Sequence, residues 1–369
     1  MRVMLNCLIF LLTSSVSFSQ IMPLSAAPDG GNRRASVSEN IGIVKIMINY
    51  GRPRVKGREG KLWNTPVAHY GFADQGHGTS YSTPWRAGAN ENTTISFSKP
   101  VKIDGHYLDS GVYGFFIALG EKESTLIFSK KNNAWGSFYY DSTQDALRVT
   151  VKNETLDKTV EWLRYDFSDQ DSSSAVIALS WEKRRIPFRV EADIHSLQMA
   201  SFRDELQTTR SFYDFLQAAN YCLQHNIELE QALAWMDRAI YFRVMGVKNF
   251  YTLQMKAEIL TRLNRPNEAT KVMEEAIPMG TMQDIHFYAR ALMNRKQTEQ
   301  AIRVFKANYD KYPNQYTTNV GLARAYSAAG EFKKAGRYLK AALAQSPDAA
   351  SKTNVEALLL RIEKAEDIN

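Results

Sequence analysis

The sequence predicts an α+β chain of more than one domain. An antiparallel β-sandwich or barrel-like domain spans about residues 40–192, and an α-solenoid of paired helices spans residues 193–369. Three observations predict this. Short period-two apolar runs fill the first half, as half-buried strands require. After Asp193 the apolar residues recur every three or four positions, while Gly and Pro thin out. Within that second stretch one pattern repeats at intervals near 34 residues, the mark of a stacked array. At 369 residues the chain also exceeds what a single hydrophobic core usually holds.

The chain opens with Arg2, the apolar run Leu5–Leu12 and the small-residue step Ser17-Phe18-Ser19. This is the pattern of a cleaved secretory signal over residues 1–20. The run is too short for a membrane span, which needs roughly 20 apolar residues. The expectation is therefore an exported protein, periplasmic, extracellular or in the cell envelope, with no transmembrane segment after cleavage. Residues 21–39 are rich in Ser, Ala, Gly, Pro and Asn and read as a flexible linker. Without residues 1–20 one cysteine remains, Cys222, within a helical stretch beside Tyr221 and Leu223. One thiol makes no intramolecular disulfide, and a buried inert thiol is expected.

The net charge of +7 is spread along the chain with no run of five or six like charges, so no nucleic-acid partner is indicated. Strands are expected from Ile41 and over Thr93–Ser98, Val101–Asp104, Tyr107–Leu108, Val112–Leu119 and Thr125–Ser129. Others are expected over Leu147–Lys152, Val160–Phe167, Ala175–Trp181 and Pro187–Ala192. Asp104-Gly105 supplies the positive φ angles of a tight hairpin. Arg52, Arg54, Lys56, Arg58 and Lys61 alternate along an expected strand, read either as a charge-protected edge or as a contact for an acidic polymer.

In the helical half, Ala232, Ala269, Ala301 and Ala335 head four related segments. Each is followed four residues later by Met236, Met273, Phe305 and Leu339, and seven residues later by Ala239, Ala276, Asn308 and Ala342. The last unit is the fullest, with Leu322, Ala323, Tyr326, Gly330, Ala335, Leu339, Ala342 and Pro347. These residues resemble the tetratricopeptide repeat, whose period is 34. The unit headed by Ala232 is degenerate, and Asn308 breaks the third. Val355–Ala365 reads as a capping helix. The resemblance implies a concave surface holding a protein or peptide partner.

In the first half the string Trp85-Arg86-Ala87-Gly88-Ala89-Asn90-Glu91-Asn92-Thr93 stands out. Around it lie Tyr50-Gly51-Arg52-Pro53-Arg54, Gly111-Val112-Tyr113-Gly114, Glu161-Trp162 and Trp181-Glu182. Together they resemble the domain-of-unknown-function family 2911, over about residues 40–192. The sequence departs from that pattern at Glu59-Gly60-Lys61-Leu62 and in a Gly-rich insertion around His69–Ser82. No established activity comes with the resemblance.

Two readings of the string stand. In one, Arg86 and its neighbours form a buried polar network that pins a loop. In the other, Arg58 and Arg86 grip an anion, Trp85 stacks, and Asn90 and Glu91 complete a site for a sugar or organic anion. His69, Asp74 and His77 match no familiar zinc spacing, so no metal or cofactor is implied. Trp135, Phe138, Tyr139 and Tyr140 serve either as core or as a carbohydrate platform. Neither a nucleophile elbow nor a phosphate-cradling glycine loop occurs, so no catalytic residue is named. The function read from sequence is an exported binding or scaffolding protein, with a ligand-binding or enzymatic β domain as the alternative.

Overall fold

The computed structural model describes residues 31–208 and 211–369, so the expected signal sequence lies outside the described residues. The chain forms two compact units dividing after Met199.

Among the described residues the first unit contains ten strands. They are β1 (Arg33–Ile41), β2 (Val44–Arg52), β3 (Thr93–Phe97), β4 (Val101–Ile103) and β5 (His106–Leu108), then β6 (Gly111–Ala118), β7 (Glu123–Ser129), β8 (Asp145–Lys152), β9 (Glu154–Ser168) and β10 (Ser174–Glu191). One sheet has the order β1-β2-β3-β6-β7-β8 and the other β5-β4-β10-β9, and their neighbouring strands run antiparallel. Alternate residues explain the layering. Ile46 and Ile48 of β2, Ile95 of β3, Phe115 and Ile117 of β6 and Phe128 of β7 share one core with Leu163, Ile177, Trp181 and Phe188 of the other sheet. The β4–β5 hairpin turns on Asp104 (φ 44°) and Gly105 (φ 82°), the conformation that this dipeptide favours.

Three expectations are corrected. The linker expected to reach residue 39 becomes strand from Arg33, because β1 pairs along its whole length with β2. Most of its side chains are exposed, and only Ala35, Val37 and Ile41 turn towards the core. The two strands expected at Ala175–Trp181 and Pro187–Ala192 are one, β10, which stays continuous through a bulge at Glu182 (φ 52°). The basic strip is not a single strand: β2 ends at Arg52, Arg54 bridges to Trp162, and the chain turns at Lys56 (φ 52°) and Gly57 (φ 69°).

The helices are α1 (Ile194–Glu205), α2 (Phe212–His225), α3 (Leu229–Tyr241), α4 (Phe250–Arg262), α5 (Pro266–Ala276), α6 (Met282–Asn294), α7 (Thr298–Lys311), α8 (Tyr316–Ala328), α9 (Phe332–Ala344) and α10 (Ala349–Glu363). From α2 onward successive helices pair as hairpins (α2 with α3, α4 with α5, α6 with α7, α8 with α9), and α10 packs on α9. Side-chain caps start several of them: Asn249 and Thr252 form a reciprocal box at α4, and Thr281 and Asp284 do so at α6.

The recurring small residues lie where helices touch. Ala232, Ala301, Ala323, Ala335 and Ala342 are fully buried, and Ala269, Leu322 and Leu339 are buried with them. Tyr326 is half-buried and stacks on Tyr338 at 5.5 Å. Gly330 (φ 73°) makes the turn out of α8. Asn308 replaces the expected Ala without loosening the contact, because its side-chain amide donates to the Met282 carbonyl at 2.9 Å. Cys222 is fully buried, and burial pushes its thiol up to about 11.

Candidate functional site

The Trp85–Thr93 string forms a loop end and the start of β3. Its side chains are consumed by the fold in different places. Trp85 is 3% exposed, stacks on Trp181 at 6.2 Å and meets the edge of Trp63, so it has no open face for a ligand. Arg86 donates to the Asn90 carbonyl at 2.9 Å and lies over Phe138. A side chain at Gly136 would collide with its guanidinium. Arg58 donates to the carbonyls of Val55 and Arg54 and so closes its own turn. Both arginine forks therefore face backbone oxygens of their own loops. Asn90 (φ 64°) accepts from Asn32 at 3.3 Å, and Glu91 pairs with Arg34 of β1.

Gly51 and Gly88 explain why the string is glycine-rich. A Cβ on Gly51 would lie 2.0 Å from the Ala89 carbonyl oxygen, and one on Gly88 would lie 2.7 Å from Thr93 Oγ1. The Ala87 carbonyl accepts from both Tyr165 Oη (2.8 Å) and Thr93 Oγ1 (3.0 Å). The loop is pressed against β2 and pinned across to β9. Of the five residues singled out in the sequence, Glu91 is the one that lines a cavity of about 490 Å³, with Arg34, Tyr50, Asn92 and Thr94.

The bulge on β10 is a feature the sequence reading missed. Buried Glu182 accepts from the Gly60 amide (3.0 Å) and Trp63 Nε1 (2.8 Å), fastening the long β2–β3 connection. Burial opposes its ionisation, but these bonds, with that of the Lys183 amide, hold its carboxyl below the usual range. Arg184 follows, 4.4 Å from the Trp63 ring and bonded to the Gly120 carbonyl and Tyr70 Oη.

His69, Asp74 and His77 are spent separately. Burial first, and the nearby Arg86 second, lower the pKa of His69. Asp74 accepts from the Gly76 amide, and the His77 ring meets Phe138. Among the described residues no group of three His, Cys, Asp or Glu side chains is arranged to hold a metal. The aromatic run also divides: Tyr140 is buried, whereas Trp135 and Tyr139 are about half exposed.

In the helical unit the first helices of successive hairpins pack together, α2 on α4 and α6 on α8. One face of this row is basic. Burial, then the positive fields of Arg290 on α6 and Arg361 on α10, bring the Arg324 guanidinium on α8 down to about 10. Burial with Arg290 and Arg324 likewise pulls His286 down to about 4.

The last residues of the chain lie on this face. Ile368 is 1% exposed and belongs to the cluster of Val320, Ala323, Leu339, Val355 and Leu358. Its amide donates to Ser327 Oγ at 3.1 Å, and its carbonyl accepts from Arg324 at 2.5 Å. Ser327 in turn donates to Asp367 at 2.8 Å, Arg361 donates to the Asp367 carbonyl, and Asn369 donates to the Arg324 carbonyl at 3.1 Å. Asp367, Ile368 and Asn369 thus lie outside any helix and are held by side chains of α8 and α10.

Comparison with known proteins separates the two halves of the chain. Residues 32–190 match the family described as protein of unknown function (DUF2911). The match begins just ahead of β1, eight residues earlier than the sequence resemblance suggested. A tetratricopeptide repeat model matches residues 292–361. No curated protein matches the chain.

Similar solved structures include YrrB, described as a tetratricopeptide repeat protein with an unusual peptide-binding site. It is 17% identical, with 43% of this chain and 81% of that one covered and a TM-score of 0.29. The C-terminal part of a repeat protein from Cytophaga hutchinsonii is 15% identical, covering 46% and 66% with a TM-score of 0.34. MamA from Desulfovibrio magneticus is 15% identical, covering 43% and 98% with a TM-score of 0.28. Residues 32–190 thus match a family of unknown function, and the repeats matched at residues 292–361 are of a kind that forms interaction surfaces.

Proposed function

We propose that this protein is an exported interaction scaffold whose helical repeats hold an extended acidic peptide of a protein partner. The single observation that carries the proposal is the seating of Asp367-Ile368-Asn369 on α8. Bonds to main-chain groups give grip without regard to sequence, and a buried side chain gives selectivity. Arg290, Arg324 and Arg361 favour a peptide with a carboxylate beside its aliphatic anchor, as Asp367 stands beside Ile368. Export rests on the N-terminal pattern of Arg2, the apolar run Leu5–Leu12 and Ser17-Phe18-Ser19. Among the described residues no helix is long and apolar enough to cross a membrane.

The test is selection of random phage-displayed peptides on the full chain carrying Ile368→Asp, which releases the resident segment. Enriched peptides should share an acidic residue next to an aliphatic one and should lose binding when Arg324→Met is added. Failure to enrich any such motif would refute the reading.

A further inference from the structure

The outer face of the six-stranded sheet carries a cleft of about 600 Å³, within the roughly 300–1,000 Å³ range of small-ligand sites. Its wall is residues 79–82 and its floor is the Tyr139–Ser142 segment with Arg148. Three large rings at the cleft are open to solvent: Phe72 at 41%, Tyr139 at 45% and Tyr81 at 80%. Between them the lining is rich in hydroxyls, from Thr79, Ser80, Ser82 and Ser142.

The frame is held in advance. The Phe138 carbonyl accepts from the amides of both Thr79 (3.1 Å) and Ser80 (3.2 Å). Gly78 (φ 78°) permits this approach, since a Cβ there would lie 2.2 Å from the same oxygen. Beneath, Tyr140 Oη donates to Asp145 Oδ2 (2.6 Å), Arg148 Nε donates to that oxygen (2.7 Å), and Arg148 Nη2 donates to Tyr140 Oη (2.8 Å). The Asp145 side chain is 7% exposed, yet its Oδ1 has no partner in the protein. A buried carboxylate oxygen of this kind calls for a hydroxyl or water donor.

Charge decides the class of guest. The lining sets Asp141 beside Lys131 and Arg148, and the ion pair of Arg148 with buried Asp145 beneath the cleft neutralises the second cation, so little net charge is left to select an anion. Apolar ring faces, a hydroxyl-rich wall and balanced charge complement a molecule with C–H faces and a hydroxyl rim. We propose that this cleft binds a neutral saccharide, with Tyr81 and Tyr139 as its stacking rings. The DUF2911 half would then hold a glycan while the repeats hold a peptide.

The test uses the full chain on an array of neutral oligosaccharides (glucans, mannans, galactans, xylans and N-acetylglucosamine oligomers), with polygalacturonate and sugar phosphates as anionic arms. Hits are titrated by calorimetry against Tyr81→Ala and Tyr139→Ala, whose exposed rings can be removed without unfolding the domain. The proposal expects a neutral hit that each variant weakens by about tenfold or more, at an unchanged unfolding temperature. No hit, binding confined to the anionic arms, or neutral binding that survives both variants would each overturn it.

Discussion

His286 makes the stability of the helical unit sensitive to pH in a direction its environment fixes. Burial, with Arg290 and Arg324 nearby, pulls it down to about 4, against about 6.5 in an unfolded chain. A lowered pKa means that the unfolded state takes up the proton first. The histidine's contribution is therefore intact above pH 6.5 and is lost as pH falls towards 4. Linkage puts the loss at about 2 kcal/mol by pH 5 and about 3 kcal/mol by pH 4. The assay is urea unfolding followed by helical circular dichroism between pH 7 and pH 4. The variant His286→Gln removes the titration. Subtracting the two pH profiles cancels other groups, and the difference should grow by about 2 kcal/mol between pH 7 and pH 5. Parallel profiles would show that His286 titrates normally in the fold and would refute the reasoning.

Other outcomes follow from contacts in both units. Gly51→Ala drives a methyl group into the Ala89 carbonyl, and loss of about 1–3 kcal/mol is expected from tryptophan-monitored unfolding. Ala335→Leu overpacks the junction of the last repeat, where no side-chain surface is exposed. It should cost about 1–3 kcal/mol in helical unfolding by circular dichroism. In a chain carrying Cys7→Ser, Cys222 should resist an aromatic disulfide reagent at about pH 8 while folded and react rapidly once urea has unfolded the protein. Prompt labelling of the folded protein would contradict its burial.

Much of the fold was legible because it is local or periodic. Asp104-Gly105 dictates its hairpin through two backbone angles. The spaced alanines mark helix contacts because only small residues fit there. What escaped the sequence is long-range. β1 turns only Ala35, Val37 and Ile41 towards the core, too sparse an alternation to stand out among its polar residues before its pairing with β2 is seen. Trp85 looks like a ligand's stacking ring until Trp63 and Trp181 arrive from distant segments to enclose it. Arg86 offers a fork to anions until the Asn90 carbonyl takes it. The basic face does leave a mark in the sequence. Arg290 and Arg324 stand 34 residues apart, the interval from Ala301 to Ala335, so they occupy the same phase of successive repeats. The seat of Ile368 left no such mark, since it joins the chain's last residues to α8 by contacts more than forty residues apart.

The basic face of α6, α8 and α10, proposed as a peptide seat, is filled by residues 367–369. A labelled synthetic peptide of residues 363–369 should be titrated into the native chain and into Ile368→Asp, with fluorescence anisotropy as readout. Burying an isoleucine is worth about 1.5–3 kcal/mol, so vacating the seat should expose a saturable site roughly tenfold or more stronger than any seen in the native chain. Adding Arg324→Met should weaken it again. Equal binding to both chains, or none to either, would contradict the account.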